Sequence, residues 1–316
     1  MKVIKLKHPY DPSIIPNEPV VLALGFFDGL HRGHQRVIKT GLTIAKRKGI
    51  KLALMSFDRH PAIVFQNVDE HKIRYISPEQ RKLELLADNH VDIYYEVAFT
   101  KKFAHLKPVE FVSQYIVALH ADTVVAGFDY TYGPKEIANM PLLPKYADNR
   151  FDIVTIPEER LLNGKISSTR IREFLNDGDM ANANRMLGYP YELVGKVIHG
   201  DHRGHLLGFP TANMELDPKA IIPREGVYAV TVLVEGHWYG GVASIGRNTT
   251  FERGREQTVE IYIIDFSKMI YGKVIRVQFL NYLRSQVAFE TADDLIAQMH
   301  QDERDATAFL KEQANY

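Results

Sequence analysis

The feature that most restricts the fold is a change of periodicity part-way along the chain. In the first part, Val20–Gly25, Lys51–Phe57, Asp92–Val97, Thr123–Gly127 and Phe151–Ile156 are short apolar runs of the kind strands buried on both faces carry. Between them, Gln35–Lys48, Pro78–Asn89 and Pro108–Leu119 have helical spacing. Ser77-Pro78-Glu79-Gln80 reads as a helix start, with Ser77 as cap, Pro78 at the first helical position and Gln80 completing a capping box. Such alternation predicts a parallel sheet with covering helices. Beyond Gly188 the runs Val194–His199, Val227–Glu235, Trp238–Ala243, Val259–Ile264 and Val274–Leu280 are joined by Gly-containing turns instead. One helical stretch, Thr291–Leu310, closes the chain with Thr291 as its N-cap. This second pattern predicts a small antiparallel barrel or sandwich. The boundary falls within Leu187–Leu193, so the expected domains are 1–187 and 188–316.

Composition removes several classes of function. Lys plus Arg and Asp plus Glu both number 39, so there is no basic excess to hold nucleic acid or an anionic membrane surface. With no cysteine, disulfides, thiolate-held zinc, iron–sulfur clusters and thiol nucleophiles are excluded, and a reducing compartment fits. The start MKVIKLKHPY reaches Pro9 before an apolar targeting core forms, and the run near Val20–Phe27 is far shorter than the ~20 residues of a bilayer span. The expectation is a cytoplasmic protein without nucleic-acid or membrane partners.

Gly25-Phe26-Phe27-Asp28-Gly29-Leu30-His31-Arg32-Gly33-His34 joins the first of these strands to a helix. Ligands of open parallel sheets sit beyond the carboxyl ends of the strands, where helix-start N–H groups favour anions. The glycine spacing matches neither the dinucleotide fingerprint nor a Walker A loop, since Gly164-Lys165 is followed by Ile166. Imidazoles at His31 and His34 could donate hydrogen bonds to a phosphate that gains charge, or bind a metal. Alternatively, one caps or packs while the other is solvated, and HRGH recurs at His202–His205. Ile166-Ser167-Ser168-Thr169-Arg170-Ile171-Arg172 gathers hydroxyls, free N–H groups and guanidiniums at a second helix start, reading either as an anion site or as an N-cap with exposed arginines.

In the second part, Gly208-Phe209-Pro210-Thr211-Ala212-Asn213 reads as a rigid turn presenting a hydroxyl and an amide oxygen. Thr211 and Asn213 could supply part of an Mg²⁺ shell, or simply form a turn. His199, His202 and His205 have a zinc-like spacing, but the glycines among them argue for a loop. Glu260 lies inside the strand-like TVEIYIID, where an acid is either exposed on the outer face or functional; a kinase acting on a primary alcohol needs such a carboxylate.

Together GFFDGLHRGHQ, SFDRHP, VVAGFDYTYG and ISSTRIR resemble the adenylyltransferase half of the bacterial bifunctional riboflavin kinase/FAD synthetases. GKVIHGDHRGHLLGFPTAN, GVYAV, GGVASIGRNTTF, VEIYIIDF and Leu283-Arg284 resemble the kinase half of the same family. The resemblance implies a Rossmann-like HxGH nucleotidyltransferase domain followed by a six-stranded antiparallel β-barrel with a terminal helix. It implies catalysis by His31 and His34, with Gly25, Phe26, Asp28, Gly33, Ser168, Thr169 and Arg170 around ATP. Phe57, His60, Pro61 and Asp129 are implied near the flavin. In the barrel it implies Mg²⁺ at Thr211 and Asn213, Glu260 as base, backbone around Gly204 and Gly208 against the nucleotide, and Arg284 at the flavin. The implied substrates and products are riboflavin, FMN, FAD and ATP. The chain departs from the family pattern at Pro134–Met140, His205 and Thr249. Two rivals remain open here: an HxGH nucleotidyltransferase with another acceptor, and a non-catalytic flavin sensor.

Overall fold

A computed structural model describes residues 1–199, 209–247 and 257–314. The chain divides into two compact units, Met1–Ser168 and Thr169–Tyr316.

In the first unit, β1 (Lys2–Leu6), β2 (Val20–Leu24), β3 (Lys51–Phe57), β4 (Ile93–Val97), β5 (Ala121–Gly127) and β6 (Asp152–Ile156) form one sheet in the order β1-β4-β3-β2-β5-β6. All its pairings are parallel. The central β2 is buried along its whole length, as its continuous apolar sequence requires. Its layers include α1 (Arg32–Lys48), α2 (Ala62–Phe65), α3 (Glu79–Asp88), α4 (Lys101–Ala104), α5 (Pro108–Val112) and α6 (Leu143–Ala147). The expected helix Pro108–Leu119 is α5 followed by a π-helical segment, Ser113–Val117.

One strand lies outside the expected set, and one expected cap does not form. Lys2–Leu6 is a strand at the sheet edge, with Ile4 and Leu6 buried and Lys2 and Lys5 outward. Ser77 does not cap α3: its hydroxyl accepts the Gly29 N–H at 2.8 Å, and Pro78 stands at the helix cap without a side-chain bond. The Pro134–Met140 stretch closes on itself, with Tyr132 N–H bonded to Ala138 and a bridge between Thr131 and Asn139.

A short hairpin of β7 (Arg160–Leu161) and β8 (Gly164–Lys165) precedes α7 (Ser168–Asp177) and α8 (Met180–Leu187). The second unit is a closed antiparallel barrel of β9 (Tyr191–Ile198), β10 (Thr211–Leu216), β11 (Gly226–Val234), β12 (His237–Arg247), β13 (Gln257–Ile263) and β14 (Val274–Arg284), in the order β10-β13-β12-β11-β14-β9. Helix α9 (Ala292–Ala314) lays Ala306 and Phe309 on the outer barrel residues Val227, Ala229 and Val242. The Thr291 hydroxyl accepts the Asp294 N–H at 3.1 Å, so that cap forms as expected.

The compact units part before the shift of pattern at Leu187–Leu193, because α7 and α8 are tied to the barrel. Leu175 O accepts the Arg224 N–H at 3.0 Å, and Asn184 bonds Phe279 O at 2.8 Å and the Tyr191 N–H at 2.7 Å.

Candidate active sites

The first site begins with backbone strain. After β2 the chain turns through Phe27 at φ 55°, Gly29 at φ 77° and Leu30 at φ 32°. A non-glycine residue held there costs on the order of 1–3 kcal/mol and persists only when its surroundings enforce it. Here they do. Phe26 O accepts from Ser56 Oγ and Lys82 Nζ, both at 2.7 Å. The Asp28 carboxylate accepts the Ser77 N–H at 3.1 Å, and Asp28 O accepts the Ser168 hydroxyl at 2.9 Å.

This turn delivers His31 as the N-cap of α1. Its Nδ1 accepts the His34 N–H at 3.3 Å, which leaves the proton on Nε2. The two imidazoles stack at 3.6 Å between centroids, and Phe27 lies 5.2 Å from His34. A Cβ at Gly33 would come within 3.2 Å of the His31 ring, so glycine there leaves the ring its place. Burial lowers the His31 pKa to about 4, with the Lys165 cation adding to the effect. Burial also holds His34 well below the usual histidine range, with His31, Lys82 and Lys165 contributing. Both are neutral at physiological pH. His34 Nδ1 is buried without a hydrogen-bond partner, an uncommon state for a buried polar atom and one that an arriving phosphate oxygen would relieve.

A cavity of about 380 Å³ opens beyond the carboxyl ends of β2, β3, β5 and β6. Of the residues expected there, Gly25, Phe26, His31, Gly33, His34, Phe57, Pro61, Asp129 and Ser168 line it. Asp28 and His60 do not: Asp28 holds the turn from behind, and His60 packs edge-on to Phe26 at 5.3 Å while its Nδ1 accepts the Ala62 N–H. Thr169 and Arg170 follow Ser168 on α7, and the Arg170 guanidinium lies 5.6 Å from the Phe174 ring. The cavity also holds Lys165, ion-paired with Asp129 and 5.0 Å from the Phe128 ring, and Glu158 and Glu159. Lys165 carries no motif that marks it in the sequence, because its place at the cavity depends on the hairpin β7–β8.

The second site lies on the barrel's outer face. Phe209 is buried against Tyr262 and His300 and anchors the start of β10. Thr211–Asn213, expected as a turn, is the first part of that strand. Ala212 and Met214 are buried, while Thr211 and Asn213 alternate to the half-buried face. Asn213 stands directly opposite Glu260, and Glu260 directly opposite Ser244, in one row across β10, β13 and β12. Cross-strand neighbours of this kind are about 4.5–5.5 Å apart at Cβ, so one small ion or phosphate can reach both Asn213 and Glu260. Hydroxyl, amide and carboxylate oxygens on one face are hard donors that suit Mg²⁺, which keeps waters and substrate phosphates in its remaining positions.

Glu260 is therefore on the outer face, yet it is half-buried in a cavity of about 200 Å³ between barrel and α9, with Thr211, Ser244 and Tyr262. Arg284 lines the same cavity, but its guanidinium is engaged by Asp302 at 2.7 and 2.6 Å. A second cavity of about 200 Å³ opens where β10 begins, lined by Pro210, Thr211, Asn213 and Phe266–Tyr271. Thr211 belongs to both. Gly204 and Gly208, like His202, His205 and Thr249, lie outside the described residues. Of the zinc-like trio only His199 is described, so that reading lies outside the described residues; among the described residues no three His, Cys, Asp or Glu side chains gather as a metal site.

Comparison with known proteins finds one family for each part of the chain. The FAD synthetase family model matches residues 14–170, and the riboflavin kinase family model matches 187–310. A bifunctional riboflavin kinase/FMN adenylyltransferase of Listeria monocytogenes is 44% identical over 98% of both chains. One of Bacillus subtilis is 38% identical, again over 98% of both. A solved structure from Streptococcus pneumoniae, described as a macrolide-efflux protein, is 33% identical with a TM-score of 0.89, covering 96% of this chain and 98% of that one. Among the described residues no helix is long and apolar enough to cross a membrane. With both family models and full-length relatives in agreement, the chain belongs to the bifunctional riboflavin kinase/FMN adenylyltransferase family.

Proposed function

We infer that riboflavin phosphorylation takes place on the barrel and adenylylation of FMN at the histidine turn, and that the residues brought together at each place carry the step. On the barrel, Glu260 accepts the proton of the riboflavin 5′-hydroxyl as its oxygen attacks the γ-phosphorus of ATP, giving FMN and ADP. Flavin fits the cavity under α9 and nucleotide the cavity at the start of β10, with Thr211 in the wall between them. Thr211 and Asn213 would hold Mg²⁺, whose contribution is to offset phosphate charge.

In the first unit, an FMN phosphate oxygen attacks the α-phosphorus of ATP and pyrophosphate leaves. His31 donates from Nε2, and His34 offers its unpartnered nitrogen, to oxygens that gain charge in the transition state. Lys165 exchanges Asp129 for a phosphate; Phe57 and Pro61 offer apolar surface to the flavin ring. The row Asn213–Glu260–Ser244 carries the kinase half of this reading, because it sets a carboxylate beside magnesium-type ligands. No covalent enzyme intermediate is needed: positioning and charge neutralisation suffice for both transfers.

The test is riboflavin plus MgATP with separation of products, on the wild type and on His34→Ala. The wild type should make FMN and then FAD. The variant should accumulate FMN, with FAD formation lower by about 10²–10³. Equal loss of both products would remove His34 from a specific role, and absence of FMN from the wild type would overturn the reading.

A further inference from the structure

Lys82 is a buried charge with no part in either half-reaction as described so far. It stands on α3 with 8% of its surface exposed, and its Nζ donates to Phe26 O and Ser56 Oγ, both at 2.7 Å. The ammonium also lies 5.0 Å from the Phe26 ring and 5.9 Å from that of Tyr94. A buried lysine is costly unless its charge is used or balanced. A structural peg for the turn would not need a cation, since Ser56 already donates to the same carbonyl.

Phe26 is the last residue before the strained Phe27, and the turn it begins carries both histidines. We propose that Lys82 is a positioning residue for adenylyl transfer, fixing the Phe26 carbonyl beside the turn and supplying a positive charge near His34 that offsets the negative charge gained by the departing pyrophosphate. This rests on the adenylylation reading above. The charged and titratable groups around Lys82 are Asp28 on the turn, Glu96 on β4, Glu79 on its own helix, Tyr94 on β4 and His34 on α1. The three acids favour its charged form, and burial outweighs them, lowering its pKa to about 8. The charge that assists transfer is thus present at neutral pH and lost in mildly alkaline solution.

The experiment follows kcat for FAD formation from supplied FMN and MgATP, from neutral pH to about pH 10, in wild type, Lys82→Met and Lys82→Arg. The wild type should lose activity with an apparent pKa near 8. Lys82→Met should be about 10- to 100-fold slower at neutral pH and lack that alkaline limb. Lys82→Arg, whose guanidinium stays charged, should recover part of the rate and hold it across the alkaline range. A structural role alone would lower the rates without moving the pH profile. A wild-type profile flat to about pH 10 overturns the proposal without any variant having to fold. So does Lys82→Met at wild-type rate, or an unchanged alkaline limb in Lys82→Arg. Failure of the wild type to make FAD at all would count instead against the assignment of the activity.

Discussion

Acid should loosen the first unit through its histidine pair. His31 titrates near 4 in the folded chain because burial disfavours its charged form, against about 6.5 for an exposed imidazole. The folded state keeps His31 neutral while the unfolded chain takes up a proton. Stability is therefore complete above the unfolded value and is lost as pH falls from about 6.5 toward 4. The full span for His31 is about 3 kcal/mol, of which about 2 kcal/mol is already gone at pH 5. His34, depressed by the same burial, adds in the same direction. Urea unfolding at about pH 7.5 and about pH 5, on wild type and His31→Asn, measures this. Near-UV circular dichroism reports the buried tyrosines of both units, Tyr94, Tyr95 and Tyr115 in the sheet unit and Tyr191 and Tyr228 in the barrel, while the fluorescence of Trp238, the single tryptophan, follows the barrel alone as an internal control. The wild type should lose about 2 kcal/mol more than His31→Asn between the two pH values in the circular dichroism transition, with no such difference in the Trp238 fluorescence. An identical pH dependence in the two proteins would refute the neutral burial of His31.

Two further outcomes are expected. Glu260→Gln keeps size and hydrogen bonding but cannot take a proton, so riboflavin phosphorylation should fall by about 10²–10⁴ while adenylylation of supplied FMN persists; near-wild-type FMN production would place the carboxylate outside the mechanism. A fragment beginning near Leu187 should make FMN and no FAD, but be less stable than one beginning at Thr169 by about 3–6 kcal/mol, because it lacks the buried Met180, Ala183 and Met186 of α8; equal urea midpoints for the two fragments would show that α8 adds nothing to the barrel.

The sequence displays its architecture where periodicity is local. The central strand β2 is apolar throughout, and β3 and β5 have unbroken apolar middles at Leu52–Met55 and Val124–Ala126, so their burial needs no knowledge of their neighbours. β1 has lysines between its apolar residues, and its edge position becomes visible only through its register with β4. Thr211–Asn213 resembles a turn because Pro, Thr and Asn favour turns, but Ala212 and Met214 have a barrel interior to fill, and closure between β9 and β13 extends the segment. The histidine pair was legible as a motif; its stacking and neutrality were not, since they depend on burial under elements distant in sequence. Lys82 looks like any lysine on an amphipathic helix until α3 is placed against the turn. Ser77 likewise has a good capping signature, and a distant N–H claims its hydroxyl.

The lysine-bearing first strand has a consequence for how molecules meet. An open parallel sheet ends in two rows of backbone groups able to accept a strand from another molecule. At one edge, β1 projects Lys2 and Lys5 outward, and Lys5 is engaged by Glu96 at 3.0 Å and Glu79 at 3.1 Å. At the other, β6 opens with Asp152, which Lys48 holds at 3.0 Å. A visiting strand at either border would have to strip water from these charges or break their pairing. The chain thus guards both borders against fibrous or stacked self-association with charges held in ion pairs of its own.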